Sequence, residues 1–229
     1  MKLAGKVSSG YDEEQIHKMR TTIKKMRALS EWSGTQHSNF FRKYYKASGR
    51  IREVQLLLTR IRKGECKVPP AFHEWLESRL HQMKINWQEI YNERRSNKQL
   101  KKLKRSLKSK KQKEHARKFA ADKNHMIISF RNERPLSDEQ IHTGRKTIKE
   151  IDFLNKWENN KTDEGMKKVS DETGNFMDSC SAINLLRLYI EQESDEPKRK
   201  DAEVLLTQWE NNKETEKIKL LASIGSLPC

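Results

Sequence analysis

Apolar residues recur three and four apart along most of the chain, the spacing that sets side chains on one face of a helix. Over residues 14–32 the stripe is Ile16, Met19, Ile23 and Met26, extended by Leu29 and Trp32. Over 40–62 it is Phe41, Tyr44, Ser48, Ile51, Val54, Leu58 and Ile61, and over 70–90 it is Phe72, Leu76, Leu80, Met83, Trp87 and Ile90. Ile141, Ile148, Ile151 and Leu154 make another stripe within 139–157, and a helix is expected over about 166–190. After Pro197, the residues Ala202, Leu205, Leu206 and Trp209 form a weaker face. Period-two runs of β-branched residues are nearly absent, and Leu, Lys, Glu, Arg and Gln dominate, so the pattern predicts an all-α fold. Met126–Phe130 is short and apolar and stays unassigned.

Local signals agree with these boundaries. Asp12 suits an N-cap with Gln15 three positions on, and Ser137 with Gln140 reads as a Ser-x-x-Gln capping box. Acidic residues follow each cap, where the helix dipole favours them. Residues 1–11 read as a disordered lead, Ser33–Asn39 as a polar loop, and Lys63–Pro70 as a turn whose Pro69-Pro70 opens the next helix.

The stripe at 14–32 occurs twice. Glu14–Trp32 (EQIHKMRTTIKKMRALSEW) matches Glu139–Trp157 (EQIHTGRKTIKEIDFLNKW) at a constant offset, 142 − 17 = 125 for the histidines and 157 − 32 = 125 for the tryptophans. This is the signature of an internally duplicated unit. Beside its apolar stripe each copy carries a cationic one: His17, Arg20, Lys24 and Arg27 in the first, His142, Arg145 and Lys149 in the second, with Lys146 adjacent. Gly49 and Gly174 also stand 125 apart inside expected helices. Interior glycine costs a helix about 1 kcal/mol relative to Ala, so a repeated one points to close packing or close approach of a ligand.

Charge changes the picture next. The chain of 229 residues has a formal net charge of +16, which implies an anionic partner. Residues 126–229 hold 16 Lys and Arg against 20 Asp and Glu; from chain totals of 48 and 32, residues 1–125 hold 32 against 12. The His/Arg/Lys stripe of the second copy thus stands out from an acidic background. Arg94–Lys118, between the copies, holds 13 Lys and Arg and one acid, and Leu100, Leu103 and Leu107 give it a narrow apolar seam that favours a helix. Aromatic residues do not interleave with this segment, so it is no base-stacking platform.

Several chemistries find no support. There is no Gly-rich phosphate loop, no Cys-x-x-Cys and no His-Glu-x-x-His. Cys66, Cys180 and Cys229 have neither pairing nor metal-ligand spacing and fit a reducing compartment. Glu13 lies four residues before His17 and Asp138 four before His142, an arrangement expected to favour the charged imidazole. No metal, cofactor or catalytic group is expected. No apolar run is long enough for a membrane span and no signal-peptide pattern is seen, so cytoplasm is the expected compartment.

The residues now assembled resemble the CHAD family, the conserved histidine α-helical domain. His17-x-x-Arg20-x-x-x-Lys24-x-x-Arg27 is similar to the family's histidine helix, and Lys46-Ala-Ser-Gly-Arg50-Ile-Arg52-Glu53 to its basic-Ala-Leu-Gly-Arg-Val-Arg-Asp segment. The second copy matches at His142, Arg145 and Lys149 and at Gly174 through Asp178. The resemblance spans about residues 10–225. It implies one domain of two pseudo-symmetric helical bundles facing a basic cavity: repeat one at about 10–120, including a basic connecting helix at 94–118, and repeat two at about 135–225. It also implies non-enzymatic binding of inorganic polyphosphate or a similar polyanion, with a possible seat at polyphosphate granules. The implied ligand-facing residues are His17, Arg20, Lys24, Arg27, Lys46, Arg50, His142, Arg145 and Lys149. Departures fall mostly on the second copy, where Asp152 replaces the counterpart of Arg27, and Asp171 and Asn175 stand opposite Lys46 and Arg50. The alternative is a helical nucleic-acid-binding protein acting through residues 94–118.

Overall fold

A computed structural model of the chain describes residues 11–32, 39–90, 98, 101, 112–159 and 163–226. Among these residues the fold is all-α. Its seven helices are α1 (Glu13–Trp32), α2 (Asn39–Arg62), α3 (Pro70–Ile90), α4 (Gln112–Asn132), α5 (Asp138–Asn159), α6 (Glu164–Gln192) and α7 (Glu196–Gly225). None of the described helices is long and apolar enough to cross a membrane. Most of the segment at 94–118, including its leucine seam, lies outside the described residues, as do Ser33–Ser38 and residues 1–10; α4 takes up the segment's last residues from Gln112.

The capping signals act as read. The Asp12 carboxylate accepts from the backbone N–H of Glu14 (2.6 Å) and Gln15 (3.0 Å) at the start of α1. Before α5 the box is reciprocal: Gln140 N–H donates to Ser137 Oγ at 3.2 Å, and Ser137 N–H donates to Gln140 Oε1 at 2.8 Å. These bonds satisfy donors that the helix itself leaves open. At its far end α2 stops at Gly64, whose φ of 73° allows Glu65 N–H to reach Arg60 O (3.0 Å) and Gly64 N–H to reach Ile61 O (2.9 Å).

The chain forms two compact units, one from Met1–Thr21, Asn39–Asn97 and Asp178–Glu214, the other from Thr22–Ser38, Lys98–Met177 and Thr215–Cys229. Each unit draws on both halves of the sequence. In the first, Ile16, Met19, Tyr44, Ile51, Val54, Leu58, Phe72, Leu76, Trp87, Leu186 and Ala202 are buried. Tyr44 tilts against Trp87 at 5.7 Å, and Phe72 touches Trp75, Tyr189 and Trp209. In the second, Ile23, Ile127, Phe130, Leu136, Ile141, Ile148, Val169, Phe176, Leu220 and Ile224 are buried. Each such large side chain contributes about 1.5–3 kcal/mol on leaving water.

One expectation needs correction, one unassigned stretch gains an element and one weak face extends. Ile90 does not join the core face of α3: it ends the helix 38% exposed. Met126–Phe130 is helical, the closing turns of α4, because Ile127 and Phe130 share a buried face three residues apart while Met126 and Ile128 point outward. The weak face after Pro197 is the start of a helix that runs to Gly225, since Leu220 and Ile224 give its far end a second buried contact.

Helices α4 and α5 approach closely where Gly144 meets Phe130. A Cβ at Gly144 would lie 2.4 Å from two carbons of the Phe130 ring, and neither partner has room to move because both are buried. Overpacking of this kind costs about 1–3 kcal/mol, more than the helix propensity gained from Ala. Gly144→Ala is therefore expected to lower the urea-unfolding midpoint and the Tm, and an unchanged midpoint would contradict this packing.

Candidate functional site

The first unit holds His17, Arg20, Lys46 and Arg50. His17 lies exposed on α1, its Nε2 at 3.5 Å from Thr21 Oγ1. Arg20 reaches over α2: its Nη1 donates to Tyr45 O at 2.6 Å and its guanidinium lies 4.3 Å over the Tyr45 ring. Gly49 makes room for it, since a Cβ there would stand 2.7 Å from Arg20 Nη1. Lys46 and Arg50 are exposed on the same helix.

The second unit repeats this arrangement. Arg145 Nε donates to Ser170 O at 3.3 Å, and a Cβ at Gly174 would stand 3.0 Å from Arg145 Nη2. Arg20 and Arg145, Tyr45 and Ser170, and Gly49 and Gly174 are each 125 positions apart. In both helices the accepting carbonyl is four residues before the glycine, so it takes the arginine on its second lone pair beside the helical bond. The residue before each glycine is a fully buried hydroxyl that bonds back one turn: Ser48 Oγ to Tyr44 O at 2.7 Å, and Thr173 Oγ1 to Val169 O at 2.6 Å. The repeated glycine thus serves close packing, and what it packs is an arginine.

In the second unit Lys24 of α1 and His142 of α5 act on each other electrostatically. Burial holds the His142 pKa below its usual 6.5, and the charges of Lys146, Arg145 and Lys24 push the same way against Glu139. Its Nδ1 is buried without a hydrogen-bond partner. This corrects the expectation that Asp138 charges His142: Asp138 Oδ1 accepts instead from Lys217 Nζ at 2.7 Å. In the first unit Glu13 is likewise engaged, by Arg52 and by Thr59 Oγ1 (3.0 Å). Arg27 and Lys149 are partly exposed, and Asp152 pairs with Lys156 at 2.8 Å.

Glu53 and Asp178 add a feature the sequence reading passed over. In the first unit a cavity of about 20 Å³, room for one water, is lined by Glu53, Leu56, Leu57 and Arg60 on α2 and by Asp178, Ser181 and Ala182 on α6. Glu53 and Asp178, Leu56 and Ser181, and Leu57 and Ala182 are again pairs 125 apart, and both members of each pair line this cavity. Glu53 is exposed as a residue, yet packing around its carboxyl raises the pKa above 4.5, with Arg20 and Arg50 pulling down and Asp178 pushing up. A larger cavity of about 570 Å³, with Glu13, Gln55, Arg62, Lys63, Glu77 and Lys84 among its lining residues, contains none of the predicted ligand residues. Among the described residues no group of three or more His, Cys, Asp or Glu is placed to hold a metal.

No protein-family model and no curated protein matches the chain.

The Glu53 shift has a consequence for stability. A carboxyl whose pKa is raised on folding binds its proton more tightly in the folded state, so stability falls as pH rises from 4.5 through the raised value. Glu53→Gln removes that loss. Its Tm should exceed that of the parent chain at pH 7, with the gap closing as pH falls toward 4.5; equal profiles at both ends would refute the assignment.

Proposed function

We propose that the chain is a non-enzymatic, CHAD-type binding protein for inorganic polyphosphate, and that each unit offers the polymer a cationic face of its own. The observation that carries this reading is that Lys24 of α1 acts electrostatically on His142 together with Arg145 and Lys146 of α5, cations from two helices more than a hundred residues apart in sequence. A core does not need such a gathering, and a polyanion does. The internal duplication belongs to the same reading. It is supported by the paired arginine–glycine contacts, the paired back-bonded hydroxyls and the paired carboxylates that line one cavity. The location that goes with this function is the cytoplasm, at polyphosphate granules.

The chemistry suits the ligand. Polyphosphate carries about one charge per residue and no bases to read, so its receptor needs a row of cations about one helical turn, 5.4 Å, apart. His17, Arg20, Lys24 and Arg27 have that spacing on α1. Arginine offers a planar fork to phosphoryl oxygens and lysine a compact charge. Arg20 and Arg145 reach this duty already oriented, because each has one donor fixed on a backbone carbonyl.

Fluorescence anisotropy with labelled long-chain polyphosphate tests the reading. Removing two charged contacts with Lys24→Gln and His142→Asn should weaken binding by at least about tenfold, roughly 1.4 kcal/mol, and affinity should fall steeply with salt as counterions are released. A folded double variant that binds like the parent sinks the site, and duplex DNA of equal charge competing equally well would favour nucleic acid instead. Incubation with divalent metal should release no orthophosphate.

His142 makes a further prediction. Free of ligand, its proton is disfavoured by three neighbouring cations, and a bound polyanion reverses that field. Binding should then take up a proton between the lowered free-state pKa and the higher one in the complex, so affinity rises on mild acidification. Calorimetry in buffers of different ionisation enthalpy should show proton uptake that His142→Asn reduces.

A further inference from the structure

We infer that the larger cavity of the first unit binds a short zwitterionic peptide with apolar side chains, its carboxylate held by Arg62 and Lys84 and its ammonium by Glu77 and Gln55. The inference is independent of the polyphosphate reading, since none of the residues assigned to the polymer lines this cavity.

The cavity, of about 570 Å³, lies among the start of α1, the closing turns of α2 and the middle of α3, and its size is that of a small-molecule site. Charges of both signs line it, in two sets. The first set is engaged within the protein. Glu13 Oε1 accepts from Arg52 and its Oε2 from Thr59 Oγ1 at 3.0 Å, while Lys63 Nζ lies 3.9 Å from Glu65. The second set is Arg62, Lys84 and Glu77, which have no ion-pair partner among the described residues. Two cations and a carboxylate thus share one cavity without pairing with each other.

The cations are already oriented. Arg62 Nε donates to Leu58 O at 3.2 Å, one turn back, which leaves its terminal nitrogens for a ligand. The Lys84 ammonium lies 5.6 Å from the centre of the Tyr11 ring. Tyr11 is held in turn, its hydroxyl donating to Lys84 O at 2.8 Å and its carbonyl accepting from Gln55 Nε2 at 2.7 Å. Gln55 is the second mark of a site. It is 7% exposed, it lines the cavity, and its Oε1 is buried with no donor. A buried acceptor left without a donor costs stability, and an incoming N–H removes that cost.

These groups select the ligand's chemistry. A plain anion would meet Arg62 and Lys84 but also the carboxylate of Glu77, and it would bring no N–H for Gln55. A polyamine would satisfy Glu77 and Gln55 and be repelled by the two cations. A molecule with a carboxylate and an ammonium satisfies both sets. The carboxylate accepts from the Arg62 fork and from Lys84, and the ammonium donates to Glu77 and to Gln55 Oε1. Leu58 and Leu80 supply the apolar part of the lining, which suits aliphatic side chains. A cavity of this size has room for more than a single amino acid, so the ligand is a peptide.

Calorimetric titration of the full chain with leucyl-leucine, its N-acetyl derivative and its C-terminal amide tests the site. The parent chain should bind the dipeptide, and each blocked derivative should bind at least about tenfold more weakly, the loss expected for one charge-assisted contact. Glu77→Gln should weaken the dipeptide about as much and leave the N-acetyl derivative nearly unaffected. Arg62→Gln and Lys84→Gln should weaken the dipeptide and spare the amide. Glu77 and Arg62 are exposed, so their variants should keep the parental Tm. Failure of the parent to bind the dipeptide overturns the site, as does parental affinity in folded Glu77→Gln and Arg62→Gln. Pyrophosphate that binds the parent, is lost in Arg62→Gln and Lys84→Gln and is not displaced by the dipeptide overturns the ligand class in favour of a plain anion.

Discussion

A guanidinium can lie flat against a helix only where the helix gives up a side chain. Arg20 against Gly49 and Arg145 against Gly174 are such contacts, one in each unit, and they set where each arginine lies. The glycine lets the arginine approach the backbone, the carbonyl one turn earlier receives one of its donors, and the remaining donors are left at a fixed orientation. The cost is an interior glycine worth about 1 kcal/mol of helix propensity. The return is a charge whose position is set by backbone, which is stiffer than any side-chain partner. A charge-assisted bond to a carbonyl also leaves the charge uncancelled, as a salt bridge to a carboxylate would not.

That distinction runs through the electrostatics. Exposed ion pairs are common on α6 and α7, where Lys168 meets Glu172, Arg199 meets Glu203 and Lys200 meets Glu196. Such pairs contribute little stability but neutralise the surface. Arg145 is held instead by a carbonyl, a group that orients a cation without cancelling it. His142 shows the strain that accumulates, since its own protonation is resisted by its neighbours. Unneutralised charge gathered in one place destabilises a protein in the absence of a counter-ion.

Much of this was legible in the chain. The apolar stripes located the helices, because the period of the pattern and the period of the backbone agree, and Asp12, Ser137 and Gln140 marked the starts through bonds that stay within three residues. The repeat named Arg20 and Gly49 separately, with their counterparts, but not that they touch: the contact spans 29 residues, and no local rule encodes it. Asp138 looked like the partner of His142 because it is one turn away; Lys217, 79 positions on, takes it instead. Glu77 had no signal at all. It sits on a helix read for its apolar face, and the position 125 further on is Ala202.

The way the two units are drawn from the chain bears on how it is made. Neither unit can be completed by one half of the sequence. The first needs Asp178–Glu214 to cover residues laid down more than a hundred positions earlier, and the second ends with Thr215–Cys229. On the ribosome, the N-terminal helices must wait, with Phe72 lacking its contacts to Tyr189 and Trp209, until α6 and α7 emerge. Closing such distant contacts late is slow, and the waiting chain is exposed to aggregation and proteolysis. A stop codon between Asp178 and Glu214 would therefore remove a wall from the first unit, although most of that unit had already been translated.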